Sequence, residues 1–224
     1  MKKPKIFIAC DTTNLKKVNR IIEETKNSKL IFGYKFGLEF LNSKKGRNFI
    51  SKLKKKIVFG DYKIADIPNT SASAIKAVKD LKLNYITIHI SSGLKALKAA
   101  KKVSGKTKLI GVTILTSLDN KALKEIGYNK DVKKLVLKQA KLASKAKLDA
   151  IVCSPLEIKL VKKVFKKEII TPGIRLPGDE KGDQSRVMTP KQAFKNGASS
   201  LVMGRSLTNG NIKKNIQKLI RELK

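Results

Sequence analysis

The sequence predicts an α/β fold of the (β/α)8 barrel type, on three observations. Short apolar runs typical of buried parallel strands alternate with amphipathic segments whose apolar residues recur at three- and four-residue spacing. This alternation repeats eight times without a linker. No Gly-x-Gly-x-x-Gly turn follows the first predicted strand, where an open dinucleotide-binding sheet would carry one. We therefore predict one barrel domain over residues 1–224, with an open doubly wound sheet as the alternative.

The predicted elements follow from these periods and from residues that begin or end helices. Strands are predicted at 5–10, 30–37, 56–63, 85–91, 108–115, 149–154, 168–174 and 200–205. Between them, helices are predicted at positions that include 14–27, 46–56, 70–82 and 132–147. Asp119 is a predicted N-cap, Gly127 ends that helix, and a later helix begins at Pro190 and closes at Gly197.

The formal charge of +34 raises the alternative of a basic nucleic-acid-binding module. Against it, 45 of the 51 basic residues are lysines, and they are spread over nearly every predicted helix. Arginine is the usual reader of bases and phosphates, and aromatic residues for stacking make up only 5% of the chain. We predict a solvated, lysine-rich surface without a nucleic-acid partner, whose positive field speeds the arrival of a small anionic substrate.

Location and metal content are predicted from what the sequence lacks. It contains no run of eighteen apolar residues, so we expect no membrane-spanning helix. Cys10 and Cys153 lie in separate apolar runs, and no cluster of histidine, cysteine and acidic residues has the spacing of metal ligands. We expect reduced thiols in a cytoplasmic protein with no metal site.

Charged residues follow the predicted strands at the end where barrel active sites lie. Asp11 ends the first strand, Lys35 lies on the second, and Asp61 and Lys63 lie on the third, with Asp66 in the loop beyond. Because strand side chains alternate with period two, Asp61 and Lys63 are predicted to point together into the barrel. Ion pairs at a barrel rim are the alternative, but desolvating so many charges is a costly route to stability.

An alternating array of ammonium and carboxylate groups has a chemical use. A lysine between carboxylates stays protonated and is held in place. This puts a fixed proton donor beside a fixed negative charge, which suits a reaction in which an anionic group leaves and a carbanion is protonated. A phosphate site is predicted beyond strands seven and eight, where the glycine-containing loop 175–186 forms a lid and Gly204 and Arg205 follow the last strand.

The segment DYKIADIPNT, residues 61–70, resembles the signature of the orotidine 5′-phosphate decarboxylase family. That signature reads Asp-x-Lys-x-x-Asp-Ile-Pro-Asn-Thr. Further similarity covers nearly the whole chain, in IACD, YKFGLEF, TIHISSG, GVTILTS, TPGIRLPGDEKGDQSRVMTP and LVMGRSLT. The resemblance implies cofactor-free conversion of orotidine monophosphate to UMP. It also implies a catalytic tetrad of Lys35, Asp61, Lys63 and Asp66, in which Lys63 protonates C6 of the pyrimidine after CO₂ departs.

The resemblance also implies contacts for each part of the substrate. Asp11 and Lys35 would hold the ribose hydroxyls, and Thr116 would contact the pyrimidine ring. The phosphate would be bound by Gln184, Gly204 and Arg205, with Arg175 at the base of the lid. Three residues resemble those that reach into the partner subunit's site, which implies a homodimer: Asp66, Ile67 and Thr70.

One alternative within the same barrel superfamily is a sugar-phosphate decarboxylase of the ketogulonate-phosphate type. It shares the bare Asp-x-Lys-x-x-Asp pattern but would need Mg²⁺ and a glycine-containing continuation in place of Ile67-Pro68. The chain departs from common family members at Ala65 and Ser206, neither of which is in the tetrad. His89, the single histidine, is a possible general base, but we predict a buried structural role because its strand faces the interior.

Overall fold

Eight parallel strands close into a barrel in the computed structural model, which describes residues 6–179 and 187–224. The strands are β1 (Ile6–Ala9), β2 (Phe32–Phe36), β3 (Val58–Ile64), β4 (Tyr85–His89), β5 (Lys108–Val112), β6 (Ala150–Val152), β7 (Glu168–Thr171) and β8 (Ser200–Met203). Each strand pairs with its neighbour in the chain, and β8 pairs with β1. The predicted barrel is confirmed and the open sheet was the wrong alternative.

Helices connect the strands over the outside of this barrel. In the described residues they are α1 (Leu15–Thr25), α2 (Leu38–Leu41), α3 (Gly46–Ser51), α4 (Pro68–Ala77), α5 (Gly93–Val103), α6 (Asn120–Glu125), α7 (Val132–Lys145), α8 (Ile158–Val164), α9 (Pro190–Asn196), α10 (Arg205–Thr208) and α11 (Ile212–Glu222). The side chain of Asp119 caps α6, which ends before Gly127, and Gly197 ends α9 with φ +108°. None of these helices combines the length and the apolarity needed to cross a membrane.

The barrel interior is filled at the end where the strands begin. Side chains alternate along each strand, so that Phe7 belongs to the interior cluster while Ile6 and Ile8 pack against the helices. The ring of Phe7 makes edge contacts with Phe59 and Tyr85, at centroid distances of 5.1 and 5.0 Å. The cavity of the barrel lies beyond Phe59, toward the carboxyl ends of the strands.

Candidate active site

A cavity of about 500 Å³ opens at the carboxyl ends of the strands. Its walls come from most of the eight strands and from the loops that follow them. Eight of the side chains and backbone positions predicted for the site line it: Asp11, Lys35, Asp61, Lys63, Thr116, Arg175, Gly204 and Arg205. The fold therefore brings together residues that are separated by as much as 194 positions, from 11 to 205, in one concave site.

Two lysines and two aspartates form a continuous charge network on one wall of the cavity. Lys63 Nζ donates to Asp61 Oδ2 at 2.7 Å. Lys35 Nζ lies 3.4 Å from the same oxygen and donates to Asp11 Oδ1 at 3.1 Å. The side chains of Lys35 and Asp61 are only 11% and 12% exposed, whereas that of Lys63 is 32% exposed toward the cavity. Lys63 is therefore the more accessible of the two ammonium groups in the network.

The network fixes the charge states of its two most buried members. Burial opposes the charge of Asp61, but Lys35 and Lys63 outweigh this effect and hold its pKa below the ordinary value. Burial likewise opposes the charge of Lys35, but Asp61 and Asp11 outweigh it and raise the pKa of that lysine. At neutral pH the wall carries an ionised carboxylate held between two ammonium groups.

The third strand reaches this geometry through a bulge that simple alternation did not predict. The pairing of β3 with β4 shifts register between Gly60 and Ile64, and Lys63 has a left-handed backbone with φ +49°. A Cβ at Gly60 would lie 2.8 Å from the ring of Tyr62 and from Leu83 Cδ1, so a larger residue there would displace these side chains. Asp61 and Lys63 both face the cavity, as the alternation predicted, whereas the register shift and the left-handed backbone of Lys63 were not predicted.

Three residues of the signature lie outside the cavity of their own chain. In the described part of the chain, Asp66, Ile67 and Thr70 are exposed around the start of α4, and Ile67 is 67% exposed. Asp66 Oδ1 accepts the backbone N–H of Ile67 at 2.7 Å. The structure does not bring Asp66 into contact with the charge network of the same chain.

A positive patch lies across the cavity from the network. Arg175 and Arg205 line this end, and burial together with the charge of Arg205 lowers the pKa of Arg175. A Cβ added at Gly204 would meet the side chain of Ala9 at an ordinary 3.6 Å, so the packing of the protein does not itself require this glycine. Two guanidinium groups beside exposed backbone suit a phosphate. Gln184 and most of the predicted lid, 175–186, lie outside the described residues.

Two residues near the network received no catalytic role from the sequence. Thr87 is completely buried on β4, and its hydroxyl contacts both Asp61 and the backbone of Lys63. A detectable signal was its inward register, two residues after Tyr85 on the same strand. His89 ends β4 half-buried, and burial and Lys63 lower its pKa while Asp61 opposes them, which favours a neutral ring.

The family to which the chain belongs is shown by comparison with known proteins. Residues 4–218 match the model of the orotidine 5′-phosphate decarboxylase / HUMPS family. Orotidine 5′-phosphate decarboxylase of Prochlorococcus marinus strain MIT 9215 is 42% identical over 91% of this chain and 88% of its own length. The protein of the same name from the Wolbachia of Brugia malayi is 40% identical over 96% of both chains.

Solved structures agree with the curated relatives. Orotidine 5′-phosphate decarboxylase from Lactobacillus acidophilus superposes with a TM-score of 0.83 at 30% identity, over 99% of both chains. Orotidine 5′-monophosphate decarboxylase from Methanocaldococcus jannaschii, in complex with the inhibitor BMP, gives a TM-score of 0.79 at 25% identity, over 99% of both chains. On the matched model, the named relatives and the shared barrel, the chain belongs to the orotidine 5′-phosphate decarboxylase / HUMPS family.

Proposed function

We propose that the protein converts orotidine 5′-phosphate to UMP and CO₂, with Lys63 as the proton donor to C6 of the pyrimidine. The observation that carries this proposal is the 2.7 Å contact between Lys63 and Asp61 on the cavity wall. It holds an ammonium group at a defined point, facing the cavity, where a ligand of nucleotide size fits. The named decarboxylases among the relatives support the same reaction.

The mechanism follows from where charge develops. The bond between C6 and the carboxylate breaks, CO₂ leaves, and the bonding electron pair stays on C6. Lys63 stabilises that charge as it forms and then transfers a proton from Nζ to C6, after which the neutral amine takes a proton from water. Asp61 holds the Lys63 ammonium group in place at 2.7 Å, and the departing carboxylate would lie against the same wall. No step in this scheme requires a metal or an organic cofactor.

Binding of the rest of the nucleotide is assigned to the two ends of the cavity. Asp11 and Lys35, joined at 3.1 Å, would hold the ribose hydroxyls. Arg205, Arg175 and the backbone at Gly204 would hold the phosphate, and Thr116 would contact the base. Binding energy from the phosphate, which is remote from C6, would then help to position the reacting carbon against Lys63.

The test is the absorbance change of orotidine 5′-phosphate with the purified protein, in the presence and absence of EDTA. We expect turnover that the chelator does not affect. Lys63→Ala should reduce turnover below detection while the protein remains folded, and Lys95→Ala, in α5, is the matched lysine control. Turnover by Lys63→Ala close to that of the wild type would contradict the donor role. Activity lost on chelation, and found with a sugar phosphate instead, would favour the sugar-phosphate decarboxylase.

We further propose that the protein acts as a homodimer with composite sites. The exposure of Asp66, Ile67 and Thr70 beside the cavity mouth supports this, because a second copy could place them in a neighbouring site. If so, mixing inactive Lys63→Ala with inactive Asp66→Ala should restore about a quarter of the wild-type activity, since exchange between symmetric dimers creates one intact site in each mixed dimer. Mixtures that stay inactive after exchange would contradict shared sites.

The two cysteines support the predicted cytoplasmic location. Cys10 and Cys153 are buried and free, and burial with the nearby charge of Asp11 raises the pKa of Cys10 to about 12. Such thiols are inert and are typical of proteins from reducing compartments.

A further inference from the structure

Thr87 connects the two residues on which the proposed chemistry depends. Its Oγ1 donates to Asp61 Oδ1 at 3.0 Å and accepts the backbone N–H of Lys63 at 2.8 Å. The residue is completely buried on β4, 26 positions from Asp61 and 24 from Lys63 in the chain. Thr87 is not among the residues that line the cavity.

The chemistry of a hydroxyl group fixes the direction of both hydrogen bonds. An ionised carboxylate can only accept, so the hydroxyl proton of Thr87 points to Asp61. A backbone N–H can only donate, so the N–H of Lys63 donates to a lone pair on Oγ1 of Thr87. Both bonds form together without competition. Threonine is also restricted at χ1 by its branched Cβ, so the hydroxyl is held in one place.

The hydrogen bond from Thr87 gives the two carboxylate oxygens of Asp61 different partners. Oδ1 is held by Thr87, and Oδ2 is left to face Lys63 at 2.7 Å and Lys35 at 3.4 Å. Without the threonine hydroxyl, the carboxylate could rotate and share its oxygens differently between the two ammonium groups. The bond also favours the charged form of Asp61 and so contributes to its lowered pKa.

For Lys63, the contact supports an unfavourable backbone. Left-handed φ values are disfavoured for residues that carry a Cβ, and they persist where the surroundings hold them. The N–H of Lys63 lies in the bulge, where the ladder between β3 and β4 is interrupted and Thr87 supplies an acceptor in its place. The direction in which Lys63 leaves the strand therefore depends on this hydroxyl.

We propose that Thr87 is a positioning residue for the decarboxylation, which aligns the Asp61 carboxylate and the Lys63 backbone through one hydroxyl group. This inference rests on the proposed function of Lys63 and Asp61. It assigns Thr87 no contact with the substrate.

The experiment compares Thr87→Val, which keeps the shape but loses both hydrogen bonds, with Thr87→Ser, which keeps the hydroxyl. The matched control is Thr113→Val, because Thr113 is equally buried beside β5 and its Oγ1 donates to the backbone oxygen of Val152. Steady-state kinetics with orotidine 5′-phosphate would be measured from pH 5 to pH 9. Thermal melts would report the stability of each variant.

For Thr87→Val we expect kcat to fall by roughly 10- to 100-fold, the range for losing a hydrogen bond to a charged group. KM should change by less than about threefold, because the phosphate and ribose contacts are untouched. Thr87→Ser should restore most of kcat, and Thr113→Val should melt lower with kcat unchanged.

Two results would overturn the inference. One is a kcat for Thr87→Val within twofold of the wild type. The other is a loss of kcat that Thr113→Val reproduces or that Thr87→Ser fails to restore. If Thr87→Val does not fold, Thr87→Cys replaces it under the same expectations, because a thiol is a weak hydrogen-bond partner. Lys63→Ala in the same assay separates the two proposals: its inactivity beside a normal Thr87→Val rejects only the role of Thr87.

Discussion

Each end of the barrel contains a buried acidic residue in contact with a lysine, but the two pairs lie in different surroundings. At the carboxyl end, Asp61 contacts Lys63 and Lys35 on the wall of an open cavity. At the other end, Glu168 pairs with Lys108, and the hydroxyl of Tyr85 lies 3.4 Å from the same carboxylate.

The difference lies in what surrounds each pair. Lys108 lies over the ring of Tyr85, 5.2 Å from its centroid, and Tyr85 packs in turn against Phe7 and Phe59. Burial and the charge of Glu168 raise the pKa of the tyrosine, which stays a neutral donor. At the end where the strands begin, the Glu168–Lys108 pair therefore packs against the aromatic cluster of the barrel interior. An acid–lysine pair becomes a candidate for catalysis when it lines a cavity of ligand size, as Asp61 and Lys63 do.

The largest effect that this comparison predicts comes from neutralising Asp61 and not Glu168. Asp61→Asn should lower kcat by about 10²- to 10³-fold, the usual effect of removing one preorganised electrostatic contact, because Lys63 loses its fixed counter-charge. Glu168→Gln should leave kcat within twofold. Steady-state assays of orotidine 5′-phosphate turnover compare the two variants directly.

A second measurement for the same comparison is the stability of the Glu168→Gln variant. Glu168→Gln should reduce the free energy of unfolding by about 1–3 kcal/mol. The loss should fall toward the lower end of this range, because the side chain of Lys108 is 36% exposed and water screens the pair. Urea denaturation measures the change. A Glu168→Gln variant that lost turnover at unchanged stability would mean that the two ends of the barrel are not separate in function.

A smaller effect is predicted for the phosphate end of the cavity. Arg205→Ala should lower kcat/KM for orotidine 5′-phosphate by roughly 10- to 100-fold, the range for charge-assisted hydrogen bonds. With orotidine, which lacks the phosphate, the same variant should match the wild type. Arg221→Ala, on the exposed face of α11, is the arginine control. An equal loss with both substrates would place the phosphate elsewhere.

The smallest effect concerns the acid stability of the open end. The pKa of Asp61 in the folded protein lies below its ordinary value of 3.8. Its contribution to stability is therefore present above about pH 4 and is lost as the pH falls toward the folded pKa. Between pH 6 and pH 3, the difference in free energy of unfolding between wild type and Asp61→Asn should shrink. A constant difference would mean that Asp61 is not held by its lysines.

Much of this site could be predicted from the sequence, because the charged residues that form it lie at the ends of the strands. Eight repeats of strand and helix predicted the barrel, and the ends of the strands then indicated that Asp11, Lys35, Asp61 and Lys63 would share one face. The positions of Gly204 and Arg205 after the last strand were predicted for the same reason. The family resemblance named the reaction from the letters of residues 61–70.

Local pattern alone did not predict the contacts that span strands. The bulge in β3 and the left-handed Lys63 depend on how β3 pairs with β4, and period-two alternation missed both. Thr87 acquires its role through contacts across 24 and 26 residues, which its inward register on β4 does not by itself reveal. Asp66 belongs to the signature but does not line the cavity of its own chain, which the local pattern did not predict.

By itself, the sequence determined which groups the molecule would carry to the mouth of its barrel, because burial and hydrogen bonding give strands and helices distinct periods that can be read locally. Tertiary structure alone decided how those groups face one another. The register between β3 and β4 sets which oxygen of Asp61 meets Lys63, and register is fixed by packing over the whole closed sheet.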